Sequence, residues 1–166
     1  MEKIKIIEVR SDRSIEAVEM LANEIWREHY TSIIGKAQVE YMLDQFQSKS
    51  AISEQIKNGI LYYLLSEEKG GHIGYLGLKI ANQELFLNRI YIKSDRRGKG
   101  FGRQAICFVE EMAKKRKYSK ITLTVNRNNT DSIKAYEKNG FKNLGPIVQD
   151  IGNGFIMDDY KMEKNL

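Results

Sequence analysis

Leu87-Asn88-Arg89-Ile90-Tyr91-Ile92-Lys93-Ser94-Asp95-Arg96-Arg97-Gly98-Lys99-Gly100-Phe101-Gly102-Arg103 reads as a strand, a glycine loop and the start of a helix. Glycines at 98, 100 and 102 let the backbone approach a ligand closely. They also turn several N–H groups toward it at a helix N-terminus, where the dipole favours an anion. Arg96, Arg97, Lys99 and Arg103 add positive charge, and the combination suits a diphosphate. No Gly-Lys-Ser/Thr ends the loop as in a Walker A sequence, and its glycines do not space as G-x-G-x-x-G. Nucleotide hydrolysis and dinucleotide binding therefore recede.

Upstream of the loop, residues 60–65, 72–80 and 84–92 read as strands separated by turns at 67–71 and 81–83, an antiparallel meander. Downstream, a helix to about residue 117 turns Ala105, Ile106, Val109, Met112 and Ala113 inward. A strand at 120–125 follows, with Ile121, Leu123 and Val125 on one face, then a short helix at 130–139 ended by Gly140. Strands at 147–151 and 155–162 flank Gly152-Asn153-Gly154, a hairpin turn. Before the meander, 4–9 is a strand. Apolar stripes predict helices over 14–30 (Ile15, Val18, Leu21, Ala22, Ile25, Trp26), 36–46 (Val39, Met42, Leu43, Phe46) and 50–58. The fold class is α/β (α+β): one domain over residues 1–166 with a mixed, mostly antiparallel sheet flanked by helices, its β-α-β crossover right-handed and parallel.

At 166 residues and 42% hydrophobic, the chain buries one substantial core. No run approaches the ~18 apolar residues of a membrane-spanning helix, so no membrane partner is expected and the cytoplasm is the expected location. The single cysteine, Cys107, excludes an internal disulfide and leaves no cysteine pair for zinc; its place in a helical pattern predicts packing. His29 and His72 lack a third ligand at a recognisable spacing, so both read as structural or surface residues and no metal is expected. The net charge of +5 is unevenly spread: residues 93–120 hold ten Lys and Arg against three acids (Asp95, Glu110, Glu111), a net +7 that leaves −2 for the rest. A compact phosphate-bearing ligand fits this concentration better than nucleic acid.

Arg97-Gly98-Lys99-Gly100-Phe101-Gly102 resembles Arg/Gln-x-x-Gly-x-Gly/Ala, the acetyl-CoA signature of the GNAT superfamily of N-acetyltransferases. A second block, residues 125–141, is similar to that family's Asn, then Tyr seven residues on, then Gly-Phe, here Asn129, Tyr136, Gly140 and Phe141. The two blocks stand in the family's order and separation. The resemblance covers about residues 57–162, and the N-terminal helices in outline.

The resemblance implies acetyl-CoA as cofactor and a sheet splayed between the strands ending at Ile92 and Val125. Pantetheine would pair with backbone at Ile90, Tyr91 and Ile92. Arg97, Gly98, Lys99, Gly100, Phe101, Gly102 and Arg103 would hold the pyrophosphate, and Asn129, Ser132, Tyr136 and Lys138 would complete the site. Tyr136 is the implied acid for the leaving sulfur, and the backbone N–H near Ile90 would polarise the thioester. The family's usual Glu is missing: Phe86 stands at its position by ungapped count, with Asn88 next on that face. Glu84 is the nearest acid and the candidate base; a water chain to it, or an acid from another element, is the alternative. Trp26, Tyr30, Asn88, Asp159 and Tyr160 form the expected acceptor pocket.

The acceptor expected is a primary amine, a small cationic amine or polyamine. The strand Arg89-Ile90-Tyr91-Ile92-Lys93 resembles that of bacterial polyamine (spermidine/spermine) acetyltransferases, and two adjacent carboxylates, Asp158 and Asp159, could attract a cation. Edge-strand charges are the plain alternative for that pair. Acetylation of a protein or peptide amino group, or a non-catalytic CoA-binding regulatory module, are the other readings, and a homodimer is allowed for.

Overall fold

The computed structural model describes residues 2–166; Met1, the first residue of the expected 1–166 domain, lies outside the described residues. After strand β1 (Lys5–Glu8), Ser11 starts helix α1 (Asp12–Ile34) by accepting from the Ser14 backbone N–H at 3.1 Å. Ser14 Oγ accepts in return from the Ser11 N–H at 3.0 Å, a reciprocal cap of two otherwise orphan donors. This cap, and the lack of a breaker before Gly35, make the helix longer than the predicted 14–30. Helices α2 (Lys36–Phe46) and α3 (Lys49–Lys57) follow, the second capped by Ser48.

The meander is β2 (Leu61–Glu67), β3 (Gly71–Ala81) and β4 (Glu84–Ile92). A single 3-10 turn, Ser94–Arg96, leads to α4 (Phe101–Lys115), then β5 (Lys120–Asn126), α5 (Thr130–Lys138), β6 (Lys142–Gly152) and β7 (Phe155–Asn165). The seven strands form one sheet in the order β1-β2-β3-β4-β5-β7-β6. β4 and β5 are parallel, and the other neighbours antiparallel.

Strand β6 begins five residues before the predicted 147. Pro146 and Gly145 masked it: Pro lacks a ladder N–H and is tolerated because β6 is an edge strand. Cys107 corrects a second expectation. The buried residues of α4 are Phe101, Ala105, Ile106, Val109 and Ala113, and Cys107 falls outside that stripe and is exposed.

One apolar core lies between the sheet and α4 and α5, built on Leu76, Leu78, Leu85, Leu87, Ile121, Leu123 and Met162; the other packs α1 to α3 on the opposite face around Ile25, Trp26, Leu43, Ile52, Tyr62 and Tyr75. The second core holds a closed polar chain. Tyr75 donates to Gln47 Oε1 at 2.5 Å, Gln47 donates to the Tyr62 hydroxyl at 3.0 Å, and Tyr62 donates to Gln55 at 2.5 Å. Satisfied this way, the phenols are buried without the cost of orphan donors.

Candidate active site

Strands β4 and β5 pair over only three positions, Glu84↔Lys120, Leu85↔Ile121 and Phe86↔Thr122, and then separate. The divergence starts where β4 bulges: Gly77 faces Arg89 while Leu78 faces Leu87, so Asn88 is the extra residue. A bulge bends and twists its strand. Beyond it the β3 side stays paired, with the Lys93 N–H donating to the Ile73 carbonyl at 2.8 Å. Since amides alternate direction along a strand, the backbone groups of Ile90 and Ile92 point to the open side. An unpaired buried strand edge is a site for an extended ligand that supplies the missing hydrogen bonds.

The glycine loop closes one end of this cleft. Gly100 caps α4 with φ +84°, and Gly98 has φ +75°, left-handed conformations that expose loop amides at the helix N-terminus. The loop cations divide by role. Arg97 Nε donates to the Ile92 carbonyl at 2.9 Å, tying loop to strand, whereas Arg96 is ion-paired with Glu67 at 2.7 Å and pins the loop to β2. Arg97 and Arg103 line the cleft with Gly98, Gly100, Phe101 and Gly102; Lys99 is exposed and does not. Phe101, 2% exposed, is chiefly an anchor of the core.

Asn129, Ser132, Tyr136 and Lys138 face the loop from the β5–α5 side of the same cavity, which holds about 1400 Å³. Asn129 is 5% exposed and Tyr136 half-buried, its ring against Phe141 at 5.8 Å. Burial, and then the neighbouring Tyr91, raise the Tyr136 phenol above its ordinary range. His29, read from sequence as structural or surface, lines this cavity between Arg97 and Asn129; burial first, then Arg97, lowers its pKa. Its position one turn after Trp26 on α1 was the available signal.

The far end of the cavity lies between β4, β7 and the first two helices. Tyr30 and Tyr91 meet at their hydroxyls, 3.1 Å apart, and Tyr91 also packs against Trp26 at 5.4 Å. Trp26 is 1% exposed, a support for these tyrosines and for Arg89, whose guanidinium lies over the indole at 5.4 Å. Gly77 makes that packing feasible: a Cβ there would meet Arg89 Cγ at 3.0 Å. Asn88 accepts from Arg89 through both its carbonyl and its side chain, each at 3.0 Å, which identifies it as the guanidinium's holder as well as a lining residue. Sequence reading missed Arg89 as a pocket residue because the bulge reverses which side of β4 faces the pocket.

Asp158 and Asp159 do not act as a pair. Successive strand residues point to opposite faces. Asp158 is ion-paired with Arg127 at 3.0 Å, while Asp159, 3% exposed, lines the cavity. Tyr160 takes the Asp158 side, packed on the α4 and α5 core with the Arg127 guanidinium over its ring at 5.3 Å. Its expected place in the acceptor pocket is thereby corrected. Glu84 stands at the closed end of the β4–β5 pairing, held by Lys120 at 3.3 Å, a lysine that also contacts Glu163 at 3.3 Å. Helix α2 roofs the acceptor end: Tyr41 donates to the Ile151 carbonyl at 2.6 Å and Gln38 to that of Ile156 at 2.7 Å.

Comparison with known proteins agrees with this geometry. The model of the acetyltransferase (GNAT) family matches residues 18–141. A spermidine N(1)-acetyltransferase of Thermoplasma acidophilum is 31% identical over 160 residues, 92% of this chain and 96% of that protein. The crystal structure of the PaiA N-acetyltransferase from Thermoplasma acidophilum in complex with coenzyme A superposes with a TM-score of 0.82 at 27% identity, covering 99% of both chains. A GCN5-related N-acetyltransferase from Rhodopseudomonas palustris, 14% identical, shares the fold with a TM-score of 0.83 over 100% of this chain and 98% of its own.

Proposed function

The chain belongs to the acetyltransferase (GNAT) family and is an enzyme that uses acetyl-CoA, and on that premise we propose that its acceptor is a small cationic amine of the polyamine class. The observation that carries the proposal is the split of the two carboxylates, which leaves Asp159 buried and facing the acceptor end of the cavity without an ion-pair partner among the described residues. A buried carboxylate lacking a cation favours a ligand that brings one. The relationship to a spermidine N(1)-acetyltransferase supports the same class.

Acetyl-CoA supplies an acetyl group as a thioester. The cleft suits it: open amides on β4 for an extended arm, and loop amides with Arg97 and Arg103 for a diphosphate. The Ile90 N–H, fixed in the strand, donates to negative charge that develops on a carbonyl oxygen without reorganising. Tyr136 keeps its proton at neutral pH and presents it to the leaving sulfur. A thiolate formed in the same low-dielectric cleft is disfavoured by the same burial, so the raised phenol does not oppose the transfer. Tyr30 and Tyr91, with Trp26 behind them, form the acceptor wall.

The deciding experiment is steady-state kcat/KM for spermidine, a monoamine of matched length and an N-terminal peptide. Spermidine should lead the monoamine by one to two decades, since each added charge contact at ~4 Å contributes about 1 kcal/mol in water-like surroundings. A tenfold preference for the peptide would move the assignment to protein acetylation.

A further inference from the structure

We infer that the Asp159 carboxylate takes the proton from the acceptor amine, the task that β4 carries no acid to perform at the open end of the cleft. This rests on the acceptor being an amine, and holds for a small amine or a peptide amino group alike. On the cavity side of β4, Phe86 and Asn88 cannot accept a proton at neutral pH, and Glu84 is held by Lys120 where the strands are still paired. Of the acids near Asp159, Asp158 is turned to Arg127 and Asp150 accepts from the Gly152 N–H at 2.8 Å. Asp159 is opposite Asn126 on β5 and Ile147 on β6, at the end of β5 past the last β4–β5 pair, with Thr124 beside it and Tyr91 across.

The surroundings suit the task. Burial, then the charge of Asp158, raise the Asp159 carboxyl to about 6, with a Thr124 hydrogen bond opposing. It is therefore ionised at pH 7 yet a better proton acceptor than an ordinary aspartate. The other ionisable groups lining the cavity are Lys161 on β7, Lys79 on β3, Glu84, Arg89 and Tyr91 on β4, Asp150 on β6, Asp131, Tyr136 and Lys138 on α5, His29 and Tyr30 on α1, and Arg96, Arg97 and Arg103 of the glycine loop and α4.

The protons balance as follows. The substrate ammonium gives one proton to Asp159, and the freed nitrogen lone pair forms the C–N bond. The C–S bond breaks with its electron pair on sulfur, which receives the Tyr136 phenol proton. The second amine proton restores Tyr136, and Asp159 releases its proton to solvent.

The test is kcat against pH for the wild type, Asp159→Asn and Asp159→Glu, with amine binding measured calorimetrically in the presence of CoA. An acetyl-CoA thermal shift serves as the control for folding. Asp159→Asn should lower kcat at pH 7 by about 100-fold or more. It should also lose the acid limb near pH 6 and leave a residual rate that climbs with the amine's own deprotonation, while the amine Kd weakens by about tenfold at most, the size of one lost charge contact. Asp159→Glu should recover part of kcat. An acid limb retained in Asp159→Asn overturns the assignment, and so does a loss confined to amine Kd, which would make Asp159 an ionic anchor. If a peptide proves to be the acceptor, the small-amine reading falls, and the same profiles measured on the peptide still decide Asp159.

Discussion

Tyr136 and Asp159 are both acids held in a low-dielectric cavity, and burial favours the protonated form of each. For Tyr136 this keeps a donor in place. Tyr136→Phe conserves the packing on Phe141 but removes the proton, so kcat should fall by roughly ten- to ten-thousandfold with acetyl-CoA affinity and Tm little changed. An unaltered kcat in steady-state assays would assign Tyr136 to packing. For Asp159 the consequence is a pH-dependent stability. Its folded value of about 6 lies above the ordinary 3.8, so the folded chain binds more protons between the two. Stability from this group is present below about pH 4, is lost as pH rises to about 6, and stays lost above. Asp159→Asn should therefore raise Tm at pH 8 and have little effect near pH 4. Thermal melts of both proteins at the two pH values decide it; equal differences would refute the raised carboxyl.

At the scale of elements, the loop between β4 and α4 separates binding from stability. Gly100 has φ +84°, a conformation that a β-branched residue adopts only with strain. Gly100→Val should abolish the rise in Tm that acetyl-CoA produces while leaving a cooperative, folded apo protein, measured by scanning fluorimetry with and without ligand. The N-terminus of α1 is the converse case. Ser11→Ala removes one side of the reciprocal cap, far from the cleft, and should cost about 1 kcal/mol in urea unfolding with kcat unchanged.

For the whole molecule, the uneven charge distribution governs ligand choice. Of the cations in residues 93–120, Arg97 and Arg103 line the cavity beside the loop amides while Lys114 and Lys115 lie at the far end of α4, and the loop lacks a nucleotide-binding spacing, so acetyl-CoA should raise Tm well above what NAD or ATP achieve, by about 2.7 kcal/mol at a hundredfold excess over Kd. Raising salt should weaken acetyl-CoA binding. Equal shifts with all three ligands would contradict the assignment of the loop.

The place where the sheet opens was implied by the family resemblance, whereas the order of elements, the parallel crossover and the glycine loop were legible from the residues themselves. These follow from local rules: the two-residue and 3.6-residue periods, and glycines where the backbone must turn left-handed. The occupants of the acceptor end were not legible. The bulge at Asn88 reverses which side of β4 points inward, Asp158 and Asp159 divide between two faces, and Lys120 reaches Glu84 across a strand pair. Each depends on register between strands far apart in sequence. A one-residue shift in register exchanges the two faces of a sheet, so only the folded sheet decided that Asp159 and Arg89 face the cavity and that Tyr160 does not.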